Sequence, residues 1–520
     1  MSRGVRPAQT RSPVSQAFPG ASALDISNAR SLRRTWPESH WIAPGLTVAG
    51  VVLWILLAAS TNTGQFADNV EQFVWAQSVE TAYWKHPPLP TWLLSGLIRL
   101  FGIWPGWTYV LGGLCFAGTA VFTWRIADRL GGSRVAAIAV LLQGLHLGFS
   151  QRAQLYNHNT VLLLFSALTV WSVMRALESR RSRHWMLAGA GAALAILSKY
   201  QALVMLSGIV VALVLSGELR HRRTRMGCLL AASLAAVILS PHIAGLVWSE
   251  HSPLRYVMTR MEDRPWGVVL RSLLMYLVSQ LRFHLPILLA IALAAYAMRA
   301  RRPSLTPPIA TGLPREGKRR AWLIGLVAWP ALVTLLVPLA TGMLFQAQWG
   351  LPALQFVVLS LAFALAAWLP HLSPVALQRA VLWAQLCSAI VFLGGQVGPV
   401  AADFRDDPAY PARKVADAVL GDWKRHTNCP LKYVAGPSFE AGFVSIHASG
   451  YPKVLEEGDF GKSPWIDSDA MQRHGFVSLE RNAAANPREP GAALARSSSG
   501  LPPELSWTIV PPLLECTPGE

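Results

Sequence analysis

Apolar stretches long enough to cross about 30 Å of hydrocarbon recur along most of this chain, separated by short polar and often basic connections. Nine of them are easily delimited, at 41–60, 106–124, 135–150, 159–175, 226–247, 271–298, 321–343, 350–369 and 376–397. The pattern predicts an all-α polytopic membrane protein.

One apolar stretch is too long for a single crossing. Residues 185–216 are 32 in number, and they would form a helix of about 48 Å. Arginines flank both ends, and basic flanks favour the cytoplasm. We therefore predict a helical hairpin whose tip, Ser198-Lys199-Tyr200, faces the opposite compartment. The model then has about eleven spans, with the N-terminus in the cytoplasm and the C-terminus outside.

Charge distribution supports this orientation. Loops and span ends assigned to the cytoplasm carry 25 Lys and Arg, whereas those assigned outside before residue 400 carry seven. We expect a bacterial inner-membrane protein with a disordered cytoplasmic leader at 1–40. A transmembrane domain covers 41–399, and its first periplasmic loop is 61–105.

The last 121 residues differ from the rest in charge. Residues 400–520 hold 12 basic and 16 acidic residues, against 34 and 12 in residues 1–399. Helix-like pieces at 411–427 and 438–448 alternate with short apolar strands at 431–436, 475–479 and 505–511. This pattern predicts a small periplasmic α/β domain at 400–520.

Composition excludes a soluble enzyme of this length and a disordered protein. Charged residues make up only 14% and apolar residues 52%, with a mean hydropathy of +0.35, whereas a soluble chain has about 25% charged residues. The net charge of +18 follows the positive-inside pattern, so we expect membrane lipids and no nucleic acid as partners.

Cysteine placement separates two groups. Cys115, Cys228 and Cys387 fall in apolar spans, whereas Cys429 and Cys516 lie in the external tail. An oxidising compartment permits a disulfide between the last two, the alternative being two unpaired thiols.

The first external loop holds the densest candidate chemistry. Asp68 and Glu71 share a face if residues 69–82 are helical, and an apolar segment at 89–102 is short enough to be interfacial or re-entrant. By physics alone, the loop is better explained as an interfacial segment with solvated charges.

This loop also carries a family resemblance. It resembles the first periplasmic loop of bacterial family 39-type glycosyltransferases, relatives of protein O-mannosyltransferases and of the aminoarabinose and galacturonic acid transferases of lipid A. Weaker similarity follows at 156–160 and 197–200. The residues that carry the resemblance in the loop are Asp68-Asn69-x-Glu71, Tyr83-Trp84-Lys85-His86-Pro87-Pro88-Leu89 and Phe101-Gly102.

The resemblance implies a GT-C fold and an inverting glycosyltransferase. Its donor would be a polyprenyl-phosphate-linked sugar, and its acceptor lipid A, the lipopolysaccharide core or another envelope glycolipid. Asp68 matches the family's catalytic acid, and a carboxylate there suits a general base. Lys85, then Lys199, are the cations expected at the donor phosphate. Many members have Asp-Glu where this chain has Asp68-Asn69, so a second acidic role would pass to Glu71.

Other residues are candidates for binding substrate, each with a simpler alternative. Arg282 lies within the 271–298 span, where it would bind phosphate or simply reach the interface. His158 would line an acceptor pocket or be a solvated helix cap. Arg255, Arg260 and Arg264 would contact anionic headgroups or be solvated loop charge. The remaining substrate-binding candidates are Asn69, Tyr83, His86, Asn157 and Trp349.

Three alternative functions stay open. No Asp or Glu falls inside an assigned span core, which argues against a proton-coupled transporter. A non-catalytic lipid or oligosaccharide transporter, a protein O-glycosyltransferase and an envelope scaffold are still compatible with the sequence. We expect no cofactor, and no metal-ligand spacing is visible, although a divalent metal is conceivable in the wider superfamily.

Overall fold

The predicted spans fall on helices. The computed structural model describes residues 42–248, 253–261, 264–299, 313–368, 374–397, 410–481, 505–513 and 516; the predicted leader 1–40 lies outside these residues. The first half of the membrane region contains α1 Ile42–Thr61, α2 Ala67–Trp75, α3 Leu89–Phe101, α4 Trp107–Leu145, α5 His158–Ser179, α6 Ser182–Ser198 and α7 Ala202–Leu215.

The second half is equally helical. It contains α8 Arg222–Trp248, α9 Pro253–Met258, α10 Trp266–Arg299, α11 Leu313–Leu323, α12 Trp329–Thr341, α13 Gly350–Ala353, α14 Val357–Trp368 and α15 Pro374–Val397. A π-helical turn at Ile324–Ala328 joins α11 to α12, and a short 3₁₀ turn at Ala347–Trp349 precedes α13.

Length and apolar composition identify a multi-pass membrane protein. Six helices of the described residues satisfy both criteria, or up to seven if the bent pair Ala347–Ala353 and Val357–Trp368 is one span. The count of eleven spans stays a prediction. One reason for the difference is α4, whose 39 residues are broken by non-helical dihedrals at Gly132, between the two spans predicted there. Since 39 residues would extend about 58 Å as one helix, this break suits two crossings.

The predicted hairpin is confirmed as a pair of helices with a tight connection. Helix α6 ends at Ser198, Lys199 adopts an extended conformation, and α7 begins at Ala202. Glycine allows α6 to approach α8 closely, because a Cβ at Gly189 would lie 2.3 Å from the carbonyl oxygen of Ala231. The tip lies beside the first loop, because residues of both line the same cavity.

The C-terminal unit (described residues 410–481, 505–513 and 516) is a mixed sheet with helices. Strands β1–β3 are mutually parallel, β4 is antiparallel to β3, and the strand order is β2-β1-β3-β4. Its elements are α16 Ala412–His426, β1 Tyr433–Gly436, α17 Ser438–His447, β2 Lys453–Glu456, α18 Ser468–His474, β3 Phe476–Arg481 and β4 Leu505–Val510.

Helices lie at both predicted helix-like pieces and strands at all three predicted strands, whereas β2 and α18 were not predicted. That the unit is a separate periplasmic domain stays a prediction. Cys429 and Cys516 form a disulfide with a Cα–Cα distance of 5.3 Å, as predicted for an oxidising compartment.

The C-terminal unit packs directly on the first loop. Val74, Trp75 and Tyr83 from the loop share one buried cluster with Trp423 and Val434. The helical conformation considered for residues 69–82 extends only to Trp75, where α2 ends. The chain beyond α2 is held instead by side-chain hydrogen bonds: the Gln77 amide donates to Ser445 Oγ (3.0 Å) and accepts from the Val454 N–H (2.8 Å).

Candidate active site

A cavity of about 530 Å³ lies where the first loop, the start of α5, the hairpin tip and helix α9 meet. Charged and polar side chains line one part of it, and apolar side chains of α12 line another. Ten predicted site residues are among its lining residues: Asp68, Glu71, Lys85, His86, Asn157, His158, Lys199, Arg260, Arg264 and Trp349.

Asp68 is oriented by the residue that caps helix α5. Asn157 is the N-cap, and its Oδ1 accepts hydrogen bonds from the backbone N–H groups of Asn159 (2.9 Å) and Thr160 (3.1 Å). This commits the amide oxygen to the helix terminus, as a capping side chain requires. The amide nitrogen therefore faces the other way and donates to Asp68 Oδ2 at 2.7 Å. One carboxylate oxygen is fixed, and the cavity reaches the side chain of Asp68.

Glu71 and Lys85 form an ion pair at the edge of the cavity. Lys85 Nζ lies 2.7 Å from Glu71 Oε1, and the two side chains are 25% and 12% exposed. Burial raises the pKa of Glu71 to about 7, although Lys85 opposes the shift. Burial also lowers the pKa of Lys85, but Glu71 and Asp68 together outweigh it, so that pKa lies above its ordinary value. The lysine therefore stays cationic at neutral pH.

Lys199 occupies a different environment at the hairpin tip. Its Nζ donates to the side-chain oxygen of Asn159 at 2.8 Å. In the described part of the chain, no carboxylate lies within ion-pair distance of Lys199, whereas Lys85 is paired with Glu71. Burial lowers the pKa of Lys199 to about 8, with Asp68 opposing and Lys85 reinforcing the shift. An anion entering the cavity would meet a cation that has only a neutral partner.

Two histidines form an aromatic wall of the cavity. The rings of His86 and His158 have centroids 4.0 Å apart, and Trp75 packs against both, at 6.2 Å and 5.8 Å. Burial lowers the pKa of His86 well below its ordinary value, and His158, Lys85 and Lys199 add to the effect. His86 is therefore neutral at pH 7. His158 is 3% exposed, so its interpretation as a solvated cap is wrong.

Beside the histidines, the cavity lining also contains arginine and aromatic groups. Arg260 Nη2 donates to the hydroxyl of Tyr256 at 2.7 Å, and its guanidinium stacks over that ring. Trp349 is anchored through its carbonyl oxygen, which accepts from the Gln201 amide at 2.8 Å. Arg260 and Arg264 thus place two more cations on the cavity surface.

Four predicted residues lie elsewhere. Asn69 is fully buried and binds the backbone of Gln154 and Tyr156, so it holds the loop rather than lining the cavity. Tyr83 is buried, stacks on Trp75 at 5.2 Å and donates to the Ser78 carbonyl. The two others are exposed on their helices and are not among the cavity-lining residues: Arg255 on α9 and Arg282 on α10.

The position of Arg282 corrects the prediction that it binds the donor phosphate, whereas the alternative that it reaches the interface stays a prediction. Its place within an apolar span was read correctly, but the face of α10 that carries it is exposed.

Several residues of the site were not predicted. Asn159 and Tyr256 contact predicted residues, and Tyr200 places its hydroxyl 3.0 Å from His242 Nε2. Glu456 from β2 accepts hydrogen bonds from two tryptophans of the first loop. The similarity at 156–160 and 197–200 offered a signal for Asn159 and Tyr200. Nothing marked Tyr256, His242 or Glu456, since α8, α9 and β2 are remote from the first loop in sequence.

The described residues offer little to bind a metal ion. Among them, no group of three or more His, Cys, Asp and Glu side chains is arranged to hold one.

Residues 85–245 match the family described as dolichyl-phosphate-mannose-protein mannosyltransferase. The chain is also homologous to the lipid A galacturonosyltransferase RgtD of Rhizobium johnstonii, with 26% identity over 262 residues, covering 49% of this chain and 54% of that protein. The lipopolysaccharide core galacturonosyltransferase RgtA of the same organism is 26% identical over 216 residues, covering 41% and 42%. The matches therefore span about half the length of these relatives.

Structural similarity extends further along the chain. The crystal structure of ArnT from Cupriavidus metallidurans bound to undecaprenyl phosphate covers 85% of this chain, and 93% of its own chain, with a TM-score of 0.52 and 16% identity. At that identity the likeness shows a shared fold. The resemblance that the first-loop residues predicted is confirmed by these matches.

Proposed function

We propose that this protein is an inverting glycosyltransferase of the bacterial inner membrane. It moves a sugar from a polyprenyl-phosphate donor to a hydroxyl of lipid A or another envelope glycolipid, on the periplasmic side. One observation carries the proposal: a carboxylate oriented by Asn157 shares a single cavity with the cations of Lys85 and Lys199. A general base for an acceptor and a binding site for a phosphate leaving group are thereby within reach of one substrate.

The proposed reaction is a single displacement. The acceptor oxygen attacks the anomeric carbon from the face opposite the phosphate, and the bond from that carbon to the phosphate oxygen breaks. Asp68 takes the proton of the acceptor hydroxyl, and the electron pair leaves with the phosphate. The transition state has oxocarbenium character, as in other glycosyl transfers. The phosphate needs no acid because nearby cations stabilise its growing charge.

Lys199 and Lys85 stabilise the phosphate at different stages of the reaction. Lys199 has only the neutral Asn159 as a direct partner, so it binds the incoming phosphodiester without breaking an ion pair. Lys85 starts in its ion pair with Glu71. It contributes more as the phosphate gains its second charge on departure, which is stabilisation specific to the transition state.

The charge of the cavity favours an acidic sugar. Among the described residues, its lining includes Lys85, Lys199, Arg260 and Arg264 beside Asp68 and Glu71. A sugar phosphodiester brings one negative charge to this basic surface. A uronic acid supplies a second anion, and an arginine binds carboxylates in a favourable two-pronged geometry. Similarity to two galacturonosyltransferases supports galacturonic acid as the first sugar to test.

The decisive experiment compares transfer by the wild type and Asp68→Asn. Membranes containing either protein receive radiolabelled galacturonic acid on polyprenyl phosphate, or galactose on the same lipid, with lipid A as acceptor. The matched control is Asp469→Asn, because Asp469 also lies in the first turn of a helix but is exposed in the C-terminal unit.

We expect wild type and Asp469→Asn to transfer the uronic acid with an inverted anomeric centre and to prefer it over galactose. Asp68→Asn should insert normally and lose transfer by at least about 100-fold, as loss of a general base does. Equal labelling by Asp68→Asn and wild type would overturn the role of Asp68. Movement of the intact donor lipid across the membrane without any transfer would instead favour a transporter.

A further inference from the structure

A buried carboxylate of the C-terminal unit reaches the first loop. Glu456 is the last residue of β2 and is 1% exposed. Its Oε2 accepts from the indole N–H groups of Trp75 (3.0 Å) and Trp84 (3.1 Å), and its Oε1 accepts from Ser438 Oγ (2.8 Å). Three donors converge on one carboxylate, and their hydrogen bonds oppose the rise in its pKa that burial causes.

The two tryptophans flank the segment that carries Lys85 and His86. Trp84 immediately precedes Lys85, and Trp75 packs against the ring of His86 at 6.2 Å. Because Glu456 binds both indoles, it fixes this segment from two sides. The face of Trp84 is also covered from the C-terminal unit, by Lys462 Nζ at 4.6 Å from the ring centroid.

Trp84 is also constrained on the side that contacts Tyr256, a residue of the cavity lining. Its ring meets Tyr256 edge-on at 5.5 Å, and Tyr256 in turn holds Arg260. Trp84 is therefore clamped between a carboxylate, a lysine and a tyrosine, and Lys85 has little freedom to turn away from the cavity. The C-terminal unit contributes two of these three contacts.

We propose that Glu456 is a positioning residue of the active site, which acts through Trp84 to hold Lys85 against the donor phosphate. This inference rests on the proposed function, and it makes the C-terminal unit a necessary part of the transferase site. A purely structural carboxylate would stabilise the unit without affecting donor binding.

Glu440 provides a matched control for a structural role. It is 3% exposed, lies in the same unit at the start of α17 and pairs with Arg481. Neither it nor Arg481 is among the cavity-lining residues. Glu440→Gln thus removes a buried charge without touching the tryptophans.

The experiment measures binding of farnesyl methyl phosphate diester to the full-length protein, together with kcat and KM for transfer. The variants are Glu456→Gln, Trp84→Phe, their double mutant and Glu440→Gln. Gln at 456 keeps one acceptor oxygen but removes the negative charge that the indole N–H groups bind, and Phe at 84 removes one of those N–H groups while keeping an aromatic ring.

We expect Glu456→Gln and Trp84→Phe each to weaken diester binding by about tenfold, since each breaks a hydrogen bond to a charged group. The double mutant should be no weaker than either single mutant, because both act on one contact. Glu440→Gln should lower the thermal midpoint and leave binding unchanged.

Three results would overturn the proposal: unchanged binding in Trp84→Phe, fully additive effects in the double mutant, or an equal loss in Glu440→Gln. If Glu456→Gln fails to fold, Trp84→Phe still decides the matter. Diester binding involves no chemistry, so this outcome is distinct from failure of Asp68→Asn to affect transfer, which would count against the proposed function itself.

Discussion

Asn157 joins two roles in one amide, since its oxygen caps helix α5 while its nitrogen donates to Asp68 at 2.7 Å. The cap fixes the amide orientation, and the orientation presents an N–H to the carboxylate. The helix terminus and the candidate base are therefore set by the same side chain. A substitution that replaces the amide nitrogen of this side chain by an oxygen separates the two roles.

Asn157→Asp should retain the cap and damage the site. A carboxylate caps a helix about as well as an amide does, but here its second oxygen would face Asp68 and repel it. We expect transfer to fall by about 10- to 100-fold, since a hydrogen bond to a charged group contributes about 1.5–3 kcal/mol. The measurement is kcat/KM for sugar transfer, with the thermal midpoint recorded in parallel.

Asn157→Ser is the control for this prediction. Serine also caps well, yet it is too short to span both partners, so it should lose transfer without adding repulsion. If Asn157→Asp were as active as the wild type, the contact with Asp68 would have no part in transfer.

Lys199 should make donor binding sensitive to alkaline pH. Its pKa is lowered to about 8 by burial, so the cation is lost as the pH rises through 8. The affinity for farnesyl methyl phosphate diester, whose single charge does not titrate, should therefore fall between pH 7 and 9. Titration calorimetry at a series of pH values measures this directly.

Two substitutions distinguish Lys199 from other groups. Lys199→Arg keeps its charge, since an arginine stays protonated in proteins, and should bind the diester equally well at pH 7 and 9. Lys199→Gln should bind about tenfold or more weakly at pH 7. A fall in affinity above pH 8 that persists in Lys199→Arg would assign the titration to another residue.

Titration of Glu71 should also weaken diester binding as the pH rises, but over a lower pH range than titration of Lys199. Burial raises its pKa to about 7, so it becomes neutral as the pH falls through 7 and Lys85 loses its ion-pair partner. The phosphate then gains a cation, and diester binding should strengthen below pH 7. In Glu71→Gln, binding should be tight at pH 6 and at pH 7.5, with no step between them.

Transfer by Glu71→Gln gives a separate answer. If Asp68 is the base, this variant should still transfer sugar. Loss of transfer with tight diester binding would assign the base to Glu71. A binding step near pH 7 that survives the substitution would contradict the proposed coupling between Glu71 and Lys85.

Some of this architecture is readable from the sequence because it depends on local pattern. Apolar stretches of about twenty residues predict helices, because in hydrocarbon the backbone N–H and C=O groups must be hydrogen-bonded within the segment. The acidic and basic residues of the first loop were recognised because they are near one another in the chain. The hairpin tip was recognised from the basic flanks around residues 185–216.

Other features depend on faces and on distant contacts. Asn69 follows Asp68 directly, but successive helical residues point about 100° apart, so one lines the cavity and the other is buried. Arg282 lies in an apolar span whose inner face cannot be known before the helices are packed. Glu456 is 381 residues from Trp75, and no local pattern signals such a contact.

The contact between α17 and α2 offers a test of whether packing of the C-terminal unit sets the first loop. A Cβ at Gly442 would lie 2.4 Å from Val70 Cγ1 and 3.0 Å from Val74 Cγ2. Gly442→Ala must therefore push α17 away from the helix that carries Asp68 and Glu71. We expect a loss of about 1–3 kcal/mol in stability, as for other overpacked cores, and a parallel fall in transfer.

A second substitution should restore what the first removes. Val70→Ala deletes the methyl group that clashes, so the double mutant Gly442→Ala/Val70→Ala should recover transfer and stability beyond the sum of its singles. Gly421→Ala is the control for alanine in a helix, because its Cβ would meet only Arg425 Nη1 at 3.9 Å. It should gain up to about 1 kcal/mol from helix propensity. Because the clash is confined to the surface between α17 and α2, failure of Val70→Ala to rescue transfer would mean that the C-terminal unit influences the site by another route.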